Sequence, residues 1–107
     1  MHKLLVLYPE PADRQAFADY YESTHLPLIA KIPGILGYRY SLDVSPGPDG
    51  APYFAVFECD FANIDVFRQA MASPEGQAVG ADVPNYATGG AVLLDYSVAE
   101  GSAARTG

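Results

Sequence analysis

The amino-acid sequence predicts an α+β fold in which helices cover one face of a four-stranded antiparallel sheet. Three observations predict it. Four segments have the pattern of β-strands, three with two-residue alternation and one apolar on both parities; two others show the spacing of amphipathic helices, and together they follow the order βαββαβ. A chain of 107 residues has room for one such domain. We expect it to span residues 1–99, with residues 100–107 as a flexible tail.

The first strand and helix are predicted by apolar runs and a capping residue. Residues 2–8 are apolar on both parities, as expected for a covered strand. Asp13 is a suitable N-cap for an amphipathic helix from about Arg14 to about His25. Because Pro27 disfavours the α conformation at Leu26, we expect the helix to be interrupted there, by a kink or by a new short helix that includes a turn over residues 28–32.

The middle of the chain predicts a β-hairpin with a long tip. Residues 37–44 alternate cleanly and form strand two of the chain. Residues 52–60 form strand three, after a turn rich in Pro and Gly. In strand three Cys59 shares one face with Tyr53 and Phe57, and Phe54 and Glu58 belong to the other face.

A second helical region and a last strand complete the order. Asn63 is predicted to cap one helix, and Ser73 with Pro74 begins a further short helix before a strand over residues 91–98. The order is the split βαβ arrangement of ferredoxin-like folds, which leaves one sheet face without helices. Because several strands are apolar on both faces, we expect a homodimer through the sheet faces, closing a dimeric α+β barrel.

Composition narrows the classes of partner. Thirteen acidic and six basic residues give a net charge of −7, which disfavours nucleic acid and anionic membranes as partners. We find no membrane span and no export signal, and the lone Cys59 fits a reducing compartment, so we expect a cytoplasmic protein. Glycine-rich phosphate loops and zinc-ligand spacings are absent from the sequence, so we expect no cofactor and no metal.

His25 and Cys59 are the candidate catalytic residues. At a helix end, the dipole favours the protonated form of His25 and burial favours the neutral form, so the imidazole suits general acid/base chemistry. The alternative is a histidine that only caps the helix. A thiol could exchange a proton with the imidazole in a shared pocket, although a free cysteine is more often a small buried apolar residue.

Tyrosines and one glutamate are the candidate substrate-binding residues. Phenol side chains provide apolar walls with a hydrogen-bonding tip, and we expect Tyr38, Tyr21 and Tyr86 to contact a substrate. For most of the eight tyrosines the alternative is that they fill the core or the dimer interface. Glu58 lies among apolar neighbours, which indicates a polar role in the pocket or in the interface.

An ordered set of motifs runs through nearly the whole domain, from Lys3 to about Val98. The set comprises Leu7-Tyr8-Pro9, Phe17 with Tyr20-Tyr21 and His25-Leu26-Pro27-Leu28, Pro33-Gly34 with Tyr38, Glu58 with Phe61, and Ser73-Pro74-Glu75-Gly76 with Asp82. With these motifs the chain resembles the EthD-like family of the dimeric α+β barrel superfamily. The resemblance implies a ferredoxin-like homodimer with a pocket between the sheet and the helices.

The resemblance also implies two kinds of function. The family contains a methylmuconolactone isomerase, whose catalytic histidine, pocket tyrosine and catalytic cysteine match His25, Tyr38 and Cys59. This chain has a shorter loop between strands two and three, without the histidine found there in the isomerase. We therefore predict a catabolic, cofactor-independent isomerase or lyase acting on a small oxygenated hydrophobic ring, such as a lactone or enone. The alternative is a non-catalytic protein that binds a hydrophobic metabolite for an oxygenase or ether-degradation pathway; a pure interaction module is a third possibility.

Overall fold

Four antiparallel strands form one sheet in the computed structural model, which describes residues 1–50 and 52–101. The strands are β1 (His2–Pro9), β2 (Gly37–Ser41), β3 (Tyr53–Phe61) and β4 (Val92–Ser97), in the spatial order β2-β3-β1-β4. The predicted α+β fold with a four-stranded antiparallel sheet is confirmed, although β2 ends earlier than predicted. Residues 102–107 of the predicted tail lie outside the described residues.

The helices pack on one face of the sheet, and three of them begin at the predicted capping residues. They are α1 (Arg14–Tyr20), α2 (Leu26–Ile29), α3 (Ile64–Ala72) and α4 (Pro74–Asp82), followed by a short 3₁₀ turn over Val83–Asn85. Side-chain oxygens of Asp13, Asn63 and Ser73 accept backbone N–H bonds at 3.0, 2.9 and 3.1 Å, respectively. These bonds satisfy amide groups that a helix leaves unpaired at its first turn.

The chain reaches Pro27 through a widened helical turn, after which a new short helix begins. Tyr21–His25 is a π-helical turn, and the Leu26 amide donates to the Tyr21 carbonyl. A new short helix, α2, begins at Leu26, which confirms one of the two predicted alternatives, although Leu26 itself keeps the α-helical dihedrals that Pro27 was expected to disfavour. A proline ring inside a helix clashes with the carbonyl four residues earlier, and the wider turn relieves that clash. The turn holds His25 between α1 and α2.

Strand register decides which side chains face the helices. On β1 the even-numbered residues from His2 to Tyr8 are buried and the odd-numbered residues are half-buried. Cys59 lies directly opposite Leu4 on one side and Tyr38 on the other, so all three belong to the helix-covered face. Glu58, one residue earlier, lies opposite Leu5 on the open face. A cavity under the helices can therefore be reached by Cys59 but not by Glu58.

A β-bulge changes the face of one predicted residue. The pairing of β1 with β3 shifts between Tyr8 and Pro9, which leaves Phe54 as the extra residue between Tyr53 and Ala55. Phe54 is buried, and its ring meets the ring of Phe17 edge-on at 5.1 Å. Strict alternation placed Phe54 on the face opposite Ala55 and Tyr53 on the face of Cys59. The bulge overturns both predictions, because Tyr53 pairs with Pro9 on the half-buried side of the sheet.

Candidate active site

A cavity of about 80 Å³ lies between the helix-covered face of the sheet and the helices. Its wall is mainly apolar and includes Leu4, Val6, Phe57, Ile29, Ile32 and Val79. Three residues with polar side chains line the same cavity: His25 with an imidazole, Tyr8 with a phenol and Cys59 with a thiol. The structure thus brings together the two predicted catalytic residues, which come from the π turn and from β3.

His25 is held by a buried carboxylate. Its side chain is almost completely enclosed, with a residue exposure of 1%, and Nδ1 lies 2.8 Å from Oδ2 of Asp82 at the end of α4. The other oxygen of Asp82 accepts from the Tyr20 hydroxyl at 2.5 Å and from the Asn85 amide at 3.0 Å. These contacts fix both the carboxylate and the orientation of the imidazole.

The pKa shifts determine the hydrogen-bonding roles of this pair. Burial lowers the pKa of His25, an effect that the neighbouring Asp82 partly opposes. Burial alone would raise the pKa of Asp82, but hydrogen bonds from Tyr20, Asn85 and His25 hold it below its usual value. At neutral pH the carboxylate is therefore ionised and the imidazole neutral. Because an ionised carboxylate only accepts hydrogen bonds, Nδ1 carries the imidazole proton and Nε2 is the basic nitrogen.

Two tyrosines extend this pair through the core. Nε2 of His25 lies 2.9 Å from the Tyr86 hydroxyl, which must donate to it. The Tyr86 hydroxyl lies 2.8 Å from the hydroxyl of Tyr8, and that group is 3.5 Å from the hydroxyl of Tyr21. Burial raises the pKa values of all three phenols, so they remain protonated. The basic nitrogen of His25 therefore has a phenol partner within the protein.

Cys59 contributes a neutral thiol to the cavity. It is buried, and this burial is the largest cause that raises its pKa to about 12. At neutral pH the sulfur keeps its proton, so the side chain is suited to donating a proton rather than to nucleophilic attack. Its directly opposite neighbours, Leu4 and Tyr38, hold it on the helix-covered face.

The predicted substrate-binding tyrosines all lie outside the cavity wall. Tyr38 shares the face of Cys59 but is 36% exposed at the edge of the sheet, with its ring stacked on Phe57 at 5.8 Å. Tyr21 is fully buried, and its ring stacks on His25 at 5.3 Å. Tyr86 is buried outside the wall as well, with its hydroxyl bonded to Nε2 of His25. The latter two therefore support the histidine rather than forming the wall.

Glu58 lies on the opposite side of the sheet from the cavity. It forms an ion pair with Arg39 at 2.5 Å and faces Lys3 at 3.5 Å. The hydrogen bond from Arg39 is the main cause that lowers its pKa. Of the two roles that the sequence left open for Glu58, a place in an interface agrees with this position and a place in the pocket does not.

Sequence reasoning did not assign a role to Asp82 or Tyr8. Asp82 occupies the last turn of α4, where the helix dipole disfavours a carboxylate, so its unfavourable position was a usable signal. It also follows Val79 by three residues on the helix side that lines the cavity. Tyr8 closes the apolar run of β1 on the buried parity. Strand parity alone placed it with Leu4 and Val6.

Neither metal-binding clusters nor membrane-spanning helices occur in the part of the chain that the structure describes. Among residues 1–50 and 52–101, no three His, Cys, Asp or Glu side chains are grouped to hold a metal ion. Over the same residues, no helix has the length and apolar character needed to cross a bilayer.

Sequence comparisons identify the family. The EthD domain model matches residues 9–90. An uncharacterized 11.0 kDa protein from the thcB-thcC intergenic region of Rhodococcus erythropolis is 38% identical over 96 residues, which are 88% of this chain and 91% of that relative. Both matches cover the segments that contribute His25, Cys59 and Asp82.

Comparisons with solved structures agree with the fold. An ethyl tert-butyl ether d (EthD) family protein from Bacillus halodurans is 33% identical, with a TM-score of 0.85, over 92% of this chain and 99% of that one. A dimeric, ferredoxin-like protein of unknown function from Bacteroides fragilis is 20% identical, with a TM-score of 0.66, over 91% and 95%. A mutant of SnoaB, a cofactor-independent oxygenase from Streptomyces nogalater, is 13% identical, with a TM-score of 0.67, over 94% of each chain. The latter two likenesses concern the fold alone.

Proposed function

Because this chain belongs to the EthD family, we propose that its cavity is the active site of a cofactor-independent isomerase or lyase. The substrate is a small, oxygenated hydrophobic ring, such as a lactone or cyclic enone. One observation carries the proposal: a neutral histidine, oriented by an ionised aspartate, lines the same apolar cavity as a protonated thiol. A base and an acid on one cavity wall can move a proton between two positions of one substrate.

In the proposed reaction His25 is the base and Cys59 is the acid. Nε2 of His25 removes a proton from a substrate carbon, and the electron pair of that bond moves into the substrate. The Cys59 thiol then protonates a second carbon in an isomerisation, or the departing oxygen in an elimination. Transfer of the first proton from the imidazolium to the thiolate restores both groups. Asp82 stabilises the imidazolium between these steps.

The Tyr86 hydroxyl occupies the position at which His25 would accept a proton. It donates to Nε2 at 2.9 Å, so the proton-bearing atom of the substrate must displace it. A neutral hydrogen bond contributes about 0.5–1.5 kcal/mol net, which binding of an apolar ring in the cavity can offset. Tyr86 therefore keeps the base in its neutral tautomer until a substrate arrives.

The test uses substitutions of both catalytic candidates. His25→Asn and Cys59→Ala are assayed for turnover of a panel of small lactones and cyclic enones, and for binding of the same compounds by calorimetry. General acid/base groups each contribute about 10²–10⁴ in rate, so we expect losses of that size with binding retained. His2→Asn is the matched control. His2 is also buried, and its Nε2 lies 2.8 Å from Oδ2 of Asp95, but His2 does not line the cavity. Full activity in either catalytic variant contradicts the proposal.

A second candidate function is a non-catalytic binding protein that shelters a hydrophobic metabolite for an oxygenase or ether-degradation pathway. Two observations favour it: the wall is mainly apolar, and the basic nitrogen of His25 is already hydrogen-bonded to Tyr86. The same panel separates the two functions. Binding without turnover by the unmodified protein, and equal binding by His25→Asn and Cys59→Ala, identifies a binding protein.

We also propose that the protein is a cytoplasmic homodimer formed through the open sheet faces, with a catabolic role. Val92, Leu94 and Tyr96 project from β4 on the face without helices and are each more than one-third exposed. The Bacteroides fragilis neighbour is described as dimeric, which supports the same assembly. Analytical ultracentrifugation tests it: Leu94→Asp is expected to give monomers and Leu36→Asp, at an exposed position outside the sheet, to leave the dimer intact. A monomeric unmodified protein refutes the assembly.

A further inference from the structure

We propose that ligands enter the cavity between Gly80 on α4 and Leu93 on β4, and that these two residues set the size of the ligand. The inference rests on the proposed function, since it concerns access to the same cavity. Most residues of the wall are buried or half-buried. Gly80 and Leu93 are exposed, and the exposed fraction of Leu93 is 58%. The cavity wall therefore reaches solvent at these two residues.

Gly80 has no packing reason to be a glycine. A Cβ atom at Gly76, one turn earlier, would lie 2.1 Å from the Ala70 carbonyl oxygen, so the contact of α4 with α3 requires that glycine. A Cβ atom at Gly80 would meet no atom within 4 Å. A glycine inside a helix costs about 0.5–1 kcal/mol relative to alanine. The missing side chain at Gly80 lowers helix stability and keeps the opening clear.

Leu93 closes the other side of the opening from an edge strand. It lies opposite Val6, so its side chain belongs to the helix-covered face and to the cavity wall. A buried cavity of about 150 Å³ accommodates benzene. The cavity here has about 80 Å³, so a ring-sized ligand must also occupy the opening and displace Leu93.

Cys59 provides a measurement of access that needs no substrate. It is the single cysteine of the chain, and it lines the cavity. We would measure its rate of modification by methyl methanethiosulfonate, a small reagent, and by 4,4′-dithiodipyridine, a ring-sized one, at one alkaline pH at which the protein stays folded, because the thiolate is the reacting form and burial raises the pKa of this thiol. Gly80→Phe narrows the opening and Leu93→Ala widens it. The matched controls are Ala81→Phe, at the next exposed position of α4, and Leu36→Ala, at an exposed leucine outside the cavity wall.

We expect Gly80→Phe to slow modification by at least about tenfold and Leu93→Ala to accelerate the ring-sized reagent more than the small one, since labelling follows local access. Both controls should keep the original rates. The proposal is overturned if Gly80→Phe and Ala81→Phe slow labelling equally. It is also overturned if Cys59 of the chain without substitutions is labelled only at the rate of global unfolding. The result is independent of turnover: a protein inactive on every lactone and enone can still show this dependence on Gly80, which refutes the enzyme and supports the entrance.

Discussion

Asp82→Asn is expected to lower the free energy of unfolding and the pKa of His25 together. The carboxylate accepts three side-chain hydrogen bonds, from Tyr20 at 2.5 Å, Asn85 at 3.0 Å and His25 at 2.8 Å. A hydrogen bond to a charged group contributes about 1.5–3 kcal/mol, against about 0.5–1.5 kcal/mol for a neutral one. The amide keeps one acceptor oxygen without charge, and its NH2 group cannot accept a hydrogen bond, so the loss is at least about 1 kcal/mol for each bond, or about 3 kcal/mol in all.

Two assays measure these effects. For a domain of this size, about 3 kcal/mol corresponds to a decrease in melting temperature of roughly 12–24 °C. NMR titration of the imidazole protons measures the pKa of His25. Burial already lowers this pKa and Asp82 raises it, so removal of the carboxylate should lower it further.

Asp19 provides the control for Asp82. Asp19→Asn removes an exposed carboxylate that accepts a hydrogen bond from Gln15 at 2.9 Å, and it should change stability by no more than about 0.5 kcal/mol. If Asp82→Asn leaves the pKa of His25 unchanged or raises it, then Asp82 does not orient and polarise the imidazole. The mechanism proposed above would then lose its positioning residue.

Three further predictions concern packing, the tyrosine contacts and pH. Gly76→Ala should destabilise the protein by about 3 kcal/mol or prevent folding, because its Cβ would overlap a backbone carbonyl, whereas Gly80→Ala should stabilise it by about 0.5–1 kcal/mol in urea unfolding; equal effects contradict the glycine geometry. Tyr86→Phe removes the hydrogen bonds to His25 and Tyr8 and should lower the free energy of unfolding by about 1–3 kcal/mol, whereas the control Tyr53→Phe on β3 should change it little. An unchanged urea midpoint in Tyr86→Phe would show that these bonds contribute nothing. Burial lowers the pKa of His25 in the folded state, so the unfolded chain binds a proton at a higher pH than the folded chain. The free energy of unfolding should therefore fall as the pH drops below about 6.5, and His25→Asn should flatten this dependence. An unchanged pH profile in that variant would show that His25 does not cause it.

Local sequence signals predicted the element order because each signal has a local physical cause. Asp13, Asn63 and Ser73 accept hydrogen bonds from amides three residues ahead, so their role depends on nearby sequence alone. The π turn before Pro27 was not predictable in this way, since a proline indicates a local conflict without indicating whether the helix breaks or widens. The bulge at Phe54 depends on pairing with β1, which is distant in sequence.

The candidate site was predicted in part, for a similar reason. Parity on β3 placed Cys59 on the face that the helices cover, and the same parity could have excluded Glu58 from that pocket. The contact of His25 with Asp82 joins residues 57 positions apart, and no periodicity reports such a distance. The place of Tyr38 at an exposed edge depends on the order of the strands, which was not part of the prediction.

The contact at Gly76 affects how this cavity can change over evolution. Backbone meets backbone there, so α3 and α4 are fixed to each other at one wall. The opposite wall ends at Leu93 on β4, a strand with a single neighbour in the sheet. Point substitutions on β4 can therefore change the space for a ligand without disturbing the contact between the two helices. Homologues with different substrates are expected to differ first at the position of Leu93.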